Sequence, residues 1–208
     1  MSIAYIKSPT ENSIIGLWRI SESVEELLSP LDLSENEKRI FALKKTDSRK
    51  KEWLACRNLL KIMTSADHEI IYDAYGKPYM KDQSFKISMS HSAEFACVYL
   101  DKKKPVGVDI QKIKPDIRNG SEFFLNPKEL HWLNKEDNLM LHIIWSAKES
   151  TFKYCGIPDL DLKKDILLSA FTCSQIGIIE ITVLNYDLNE KIRINYECFD
   201  GYILTRTV

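Results

Sequence analysis

The chain has 208 residues, 44% of them apolar and 10% aromatic, so it can bury a core without staples and is neither disordered nor fibrous in composition. Its 29 basic and 30 acidic residues leave a net charge of -1, which argues against a nucleic-acid partner and requires any anion site to be local. Five scattered cysteines without C-x-x-C spacing speak against a disulfide framework or a zinc cluster. With no leader pattern and no membrane-length apolar run, a cytoplasmic protein is expected, with no membrane partner.

Ser13 to Ile20 predicts a strand and Ser21 to Leu28 a short capped helix. Ser34, followed three residues later by Glu37, has the capping-box pattern, and helix is expected from there to about Thr46. A long helix then runs from Asp47 or Ser48 to about Met63. Its apolar side carries Trp53, Leu54, Leu59, Leu60 and Met63, while Arg49, Lys51 and Arg57 form either a solvated face or an anion-binding one. Ile70 to Tyr72 is a short strand, Tyr75-Gly76-Lys77-Pro78 a turn, and Phe85 to Ser90 a strand interrupted by Ser90-His91-Ser92. The apolar run Phe95 to Leu100 is expected to form a hairpin with Val106 to Ile110 through the basic turn Lys102 to Pro105. Pro127 opens a helix through Leu133, and another runs from near Leu139 to Cys155, where Gly156 stops it. Strands follow at Asp165 to Leu168, Gly177 to Leu184, Lys191 to Phe199 and Tyr202 to Thr207. The fold class is α+β, with an N-terminal lobe over 1–105 and a C-terminal lobe over 106–208 as one loosely duplicated domain.

Two stretches carry chemistry. In Trp145-Ser-Ala-Lys-Glu-Ser-Thr-Phe-Lys153, Glu149 and Lys153 share a helix face, and Trp145 and Phe152 have the spacing of a buried stripe. In Gly107-Val-Asp-Ile-Gln111, Asp109 and Gln111 project from one face of a strand. A helix laid across that strand would let Glu149 join them as oxygen ligands of Mg²⁺, the remaining positions going to water and a substrate phosphate. The plain alternatives are a surface ion pair and a hydrogen-bonding Asp. Ser90-His91-Ser92 lacks a nucleophile elbow and suits a phosphate grip better than hydrolysis, the alternative being a structural histidine.

In order, Gly76-Lys77-Pro78, Ser90-His91-Ser92, Gly107-Val-Asp-Ile-Gln111 and Trp145-x-x-Lys-Glu-x-x-x-Lys153 resemble the motifs of the 4′-phosphopantetheinyl transferase family, in particular its long, surfactin-synthetase-activating type. The resemblance implies two pseudo-symmetric lobes, each a small antiparallel sheet with a packed helix, and coenzyme A with Mg²⁺ in the cleft between them. It implies transfer of 4′-phosphopantetheine from coenzyme A to a serine of an apo acyl or peptidyl carrier protein, with release of adenosine 3′,5′-bisphosphate, by a monomer. By position, Asp109, Gln111 and Glu149 match the metal ligands, and Lys148 and Lys153 the lysines facing the phosphates, with Lys153 placed at the departing group. Ser90 and His91 match the grip on the 3′-phosphate, and Lys77 a lysine of the adenine pocket. The resemblance also implies phosphate partners among Arg49, Lys51 and Arg57, and makes Glu129 the candidate general base. Gln111 stands where the family often has Glu. The alternative function is a catalytically silent protein that binds coenzyme A or a carrier.

Overall fold

Side-chain caps and apolar periodicity decide where the backbone coils. Ser34 accepts a hydrogen bond from Glu37 N while the Glu37 carboxylate returns one to Ser34 N, a reciprocal pair that starts α2 (Glu35–Ala42). Thr46 caps α3 (Asp47–Thr64), and Asp137 caps α4 (Asn138–Cys155), which stops at Gly156 in the left-handed conformation. A computed structural model describes residues 3–185 and 188–208 and divides the chain into two units, Met1–Val106 and Gly107–Val208. None of the described helices is long and apolar enough to cross a membrane.

In the first unit, β1 (Ile3–Thr10), β2 (Ser13–Arg19), β5 (Lys86–Ser92) and β6 (Phe95–Asp101) form an antiparallel sheet in the order β1-β2-β6-β5. Between them lie α1 (Val24–Leu28), α2, α3 and the small hairpin of β3 (Ile70–Tyr72) and β4 (Pro78–Met80). Helix α3 buries Leu54, Leu59 and Leu60 in one cluster with Trp18, Val98 and Leu100, each leucine worth roughly 1.5–3 kcal/mol against exposure. Strand β1 was not legible from its sequence because it is a mostly exposed edge strand with no apolar alternation. Ser90-His91-Ser92 continues β5 rather than interrupting it, and the reversal falls at Ala93, with φ of 49°.

In the second unit, β7 (Val108–Lys112), β8 (Ile166–Leu168), β9 (Ile176–Asn185), β10 (Leu188–Phe199) and β11 (Tyr202–Thr207) form an antiparallel sheet in the order β7-β11-β10-β9-β8, with α4 packed on it. The expected hairpin between β6 and β7 does not form. Both edges of β6 are taken by β2 and β5, while β7 pairs with β11. The joining turn is unsuited to a tight hairpin, since Asp101 binds Lys103 N and Lys104 N and Pro105 offers no donor. The helix expected from Pro127 shrinks to a 3₁₀ turn at Glu129–His131, so short a segment being poor at sustaining a helix nucleus. The apolar stripe of α4 is Leu141, Ile144 and Ala147; Trp145 and Phe152 flank it half-buried, Trp145 meeting Phe124 edge-on at 5.2 Å.

One contact sets the distance between β7 and α4. Gly107 exchanges hydrogen bonds with Thr207, and a Cβ built on it would lie 1.9 Å from the carbonyl oxygen of Ser150 on α4. Backbone therefore rests on backbone. A second tie is His142, buried on α4, whose Nδ1–H donates to Asn138 O at 2.8 Å while Nε2 accepts from Lys114 N at 3.0 Å, the pattern of a neutral ring.

Gly107→Ala is expected to cost about 3 kcal/mol or more in urea unfolding. Gly120→Ala, whose nearest added contact is Phe123 at 4.0 Å, should stay within about 0.5 kcal/mol. Burial holds the His142 ring below its ordinary value, so the unfolded chain binds more protons in the window below that value. The stability His142 contributes is present above the ordinary imidazole value and lost as pH falls through the lower, folded one. The urea midpoint should thus fall more between pH 7.5 and 5 in the native protein than in His142→Gln; equal falls would refute the assignment.

Candidate functional site

The contact between Gly107 and Ser150 places the end of an edge strand beside the second half of α4, and the acidic cluster follows from it. Asp109 on β7 is 2% exposed, opposite Thr205 of β11. Its Oδ1 is 2.7 Å from Lys153 Nζ, and its Oδ2 accepts from Gln111 Nε2 and Ser146 Oγ, each at 2.9 Å. Ser146 and Thr205, both fully buried, exchange a hydroxyl contact at 3.0 Å, and Thr205 Oγ1 also meets Ser146 O and Ser150 Oγ. The Lys153 ammonium also donates to Val108 O at 3.1 Å.

Glu149 lies on the same helix, half-buried. Burial, and then the negative charge of Asp109, push its carboxyl above the ordinary value, while Lys153 pulls the other way. Two carboxylates in mutual repulsion form a site that a cation would relieve. Among the described residues no cluster of three His, Cys, Asp or Glu is suited to a metal, so the donor set is two carboxylates and the Gln111 amide oxygen. That set fits Mg²⁺, which commonly takes one or two carboxylates and leaves positions for substrate oxygens, and does not fit a closed zinc or calcium cage. The structure thus brings Asp109, Gln111, Glu149 and Lys153 together, with Ser146 and Thr205 behind them. Neither hydroxyl was singled out from sequence, because an isolated Ser or Thr in a helix or strand carries no spacing signal.

Glu129 and Lys148 are placed elsewhere. Both side chains have 0% exposure and meet at 2.9 Å. Lys148 Nζ also donates to the carbonyls of Phe124 (2.7 Å), Ile166 (2.8 Å) and Leu162 (3.1 Å). The Glu129 carboxylate further accepts from Asn126 N and Leu168 N. Burial draws the lysine below its ordinary value, and Glu129 opposes that shift. The pair is closed to solvent and laces α4 to the segments around Phe124 and Ile166, instead of offering a base to a hydroxyl or an ammonium to a phosphate.

In the first unit a cleft of about 840 Å³ is walled by Lys44, Lys45, Arg49, Arg57 and His91, with Ile40, Leu43, Trp53 and Tyr72 supplying apolar surface. Arg57 is buried, donates from Nε to Glu37 Oε1 at 2.9 Å, and stacks its guanidinium 3.2 Å from the Trp53 ring centre. Among the described residues, its Nη2 and Trp53 Nε1 are buried donors without a hydrogen-bond partner, so each can donate to water or to a bound acceptor. Of the other expected residues, Lys77 lines a neighbouring cavity of about 460 Å³ with Lys81 and Lys86, Ser90 is buried, and Lys51 is half-buried outside the cleft wall. Lys44 and Lys45 were missed because helix was expected to run on to Thr46, whereas α2 ends at Ala42 and both lysines fall in the loop beside the cleft.

Removing one partner of the buried ion pair strands a charge, so Lys148→Met should lose about 3–5 kcal/mol in urea unfolding, and Glu129→Gln should also destabilise. The double variant K148M/E129Q should regain a large part of the Lys148→Met loss. A Lys148→Met protein of native stability would show that the pair does not lace the unit.

Residues 105–206 match the family model described as the 4′-phosphopantetheinyl transferase superfamily. A 4′-phosphopantetheinyl transferase of Bacillus subtilis is 36% identical over 90 residues, covering 39% of this chain and 38% of that protein. The 4′-phosphopantetheinyl transferase AcpT of Escherichia coli K12 is 30% identical over 115 residues, 52% of this chain and 59% of its own length. The 4′-phosphopantetheinyl transferase gsp of Aneurinibacillus migulanus is 30% identical over 112 residues, 50% and 46% of the respective chains. The matched segments therefore span between 38% and 59% of these relatives. The matched region contains the Asp109, Glu149 and Lys153 cluster, and over it the chain is similar to the 4′-phosphopantetheinyl transferase superfamily.

Proposed function

We propose that the protein transfers 4′-phosphopantetheine from coenzyme A to a serine of an apo acyl or peptidyl carrier protein, releasing adenosine 3′,5′-bisphosphate. The observation that carries this reading is the pairing of two repelling carboxylates, Asp109 and Glu149, with the Lys153 ammonium 2.7 Å from Asp109. Asp109 and Glu149, with Gln111, would hold Mg²⁺, which when bound supplies Lewis-acid neutralisation of diphosphate charge. Lys153 brings a fixed positive charge for the departing phosphate, its position set by Asp109 and Val108 O. The serine oxygen forms a new bond to the β-phosphorus, the phosphoanhydride bond breaks, and the serine proton leaves to a base. Glu149, half-buried on the same helix face as Lys153, is the acid left to take that proton in this reading, since Glu129 is closed off from solvent. Glu129 and Lys148 hold the architecture.

The cleft of the first unit supports the same reading by itself. Arg49 and His91, with Lys44 and Lys45, form a cationic wall for the coenzyme's 3′-phosphate, and the aromatic and aliphatic surface suits an adenine. We further propose the long type with both halves in one chain, a monomeric state and a cytoplasmic setting, which the reduced cysteines suit. A silent binding protein is the second reading, and Gln111 in place of a third acid is the feature that favours it.

Incubation with coenzyme A, Mg²⁺ and a panel of apo carrier proteins should add phosphopantetheine to an acceptor, read by intact mass. Asp109→Ala and Glu149→Ala should each lower the rate by about 100-fold or more. Mg²⁺ should raise the thermal midpoint of the native protein but not of Asp109→Ala. Coenzyme binding without turnover on any carrier would favour the silent reading, and full activity in both variants would remove the acidic pair from the chemistry.

A further inference from the structure

Glu52 is a buried acid, 7% exposed, set on α3 behind the cationic wall of the first unit's cleft. Its Oε2 lies 3.2 Å from His91 Nδ1 and 3.1 Å from Arg49 Nη1, and its Oε1 accepts from Ser48 Oγ at 3.4 Å. His91 and Arg49 belong to the cleft wall, whereas Glu52 does not. A carboxylate removed from water needs charged or hydrogen-bonding compensation. Here the compensation comes from two side chains that a bound anion would also use.

The electrostatics around His91 pull in opposite directions. Arg49, Arg57, Lys44 and Lys45 share its cleft and disfavour a second positive charge on the ring. Glu52, in hydrogen-bond reach of Nδ1, favours it, because a carboxylate accepts more strongly from an imidazolium than from a neutral ring. The same contact fixes the ring plane, and the shared oxygen orders the Arg49 guanidinium, whose side chain is otherwise 64% exposed.

We propose that Glu52 is a positioning residue that holds His91 as an imidazolium at neutral pH and orients it together with Arg49 toward a phosphate ester in the cleft. The proposal rests on reading the cleft as the subsite for the 3′-phosphate of coenzyme A. Glu52 touches no substrate in this account and acts through the two cations. It was not legible in the sequence, where it stands in the basic run Arg49-Lys-Lys-Glu52 as an ordinary helix-spaced countercharge.

The test titrates adenosine 3′,5′-bisphosphate into the intact protein by calorimetry at pH 6.5 and pH 8, comparing the native chain with Glu52→Gln, Glu52→Asp and His91→Ala. Glu52→Gln should bind about tenfold more weakly than native at pH 8 and lose less of the affinity at pH 6.5, where the bound phosphate can itself draw a proton onto the ring. Glu52→Asp should retain most of the affinity at both values. In a His91→Ala background, Glu52→Gln should add no pH-dependent loss. Imidazole ¹⁵N spectra at pH 7.5, assigned by comparison with His91→Ala, should show a doubly protonated His91 in the native protein and a neutral one in Glu52→Gln. A neutral His91 in the native protein, or superimposable pH dependences in native and Glu52→Gln, overturns the proposal; should Glu52→Gln fail to fold, the native spectrum alone decides. If the native protein does not bind the bisphosphate at all, the coenzyme reading falls, while the spectra still decide what Glu52 does to His91.

Discussion

The close approach of the Gly107 backbone to the Ser150 carbonyl is the constraint from which the rest of the acidic cluster follows. A side chain of any size there would hold β7 away from α4, and the residues two positions along the strand and one position along the helix would part with it. With the gap closed, Ser146 reaches Asp109, Lys153 reaches both Asp109 and Val108 O, and Glu149 comes close enough to Asp109 to register its charge. The Gly-Val-Asp motif is thus a packing rule joined to a chemical one. Thr205 and Thr207 seat the other side of β7 through its register with β11, so strand position and acid position are fixed by one ladder.

Both units bury acids and satisfy them with cations or backbone donors, but the consequences differ. Glu129 and Lys148 lie wholly inside, each surrounded by partners, and so make a local lock whose loss strands a charge. Asp109 is as deeply buried, yet its partner Lys153 is partly exposed, so the pair has one end in the core and one toward solvent. Glu52 follows that second pattern in the first unit, a buried carboxylate whose partners Arg49 and His91 stand at a cleft wall. A buried acid with an exposed cation fixes charge in place where a ligand can meet it, which a fully solvated ion pair does poorly.

Periodicity read α3 and α4 well because their signals are local. The cap at Ser34 and the apolar faces of α3 and α4 belong to one stretch each. Strand pairing was harder, since the tie between β7 and β11 spans about a hundred residues and nothing in either strand announces the other. The run at Lys102 to Pro105 therefore looked like a hairpin, though it joins strands of two different sheets. The same distance effect separated the site residues. Asp109, Gln111, Glu149 and Lys153 were legible because their types and spacing on single elements restrict the chemistry, whereas Ser146, Thr205 and Glu52 gain meaning only from a neighbour far along the chain. Lys148 and Glu129 mislead for the converse reason: beside Glu149 in sequence, Lys148 turns into the core because successive helix positions point about 100° apart.

Gln111 can be understood from the charge already present. Burial, and then repulsion by Asp109, hold the Glu149 carboxyl above its ordinary value. A glutamate at 111 would add a third negative charge next to Asp109, whereas the amide donates Nε2–H to Asp109 Oδ2 at 2.9 Å and keeps an oxygen of its own. The exchange stabilises the cluster without a cation and weakens its attraction for one, because one formal charge is absent from the donor set. Under the proposed function, more of the cation's hold must then come from the substrate's diphosphate. The same reasoning accounts for Lys153 at Asp109: with a cation not permanently bound, an ammonium 2.7 Å away compensates a carboxylate that is 2% exposed and otherwise costly to bury.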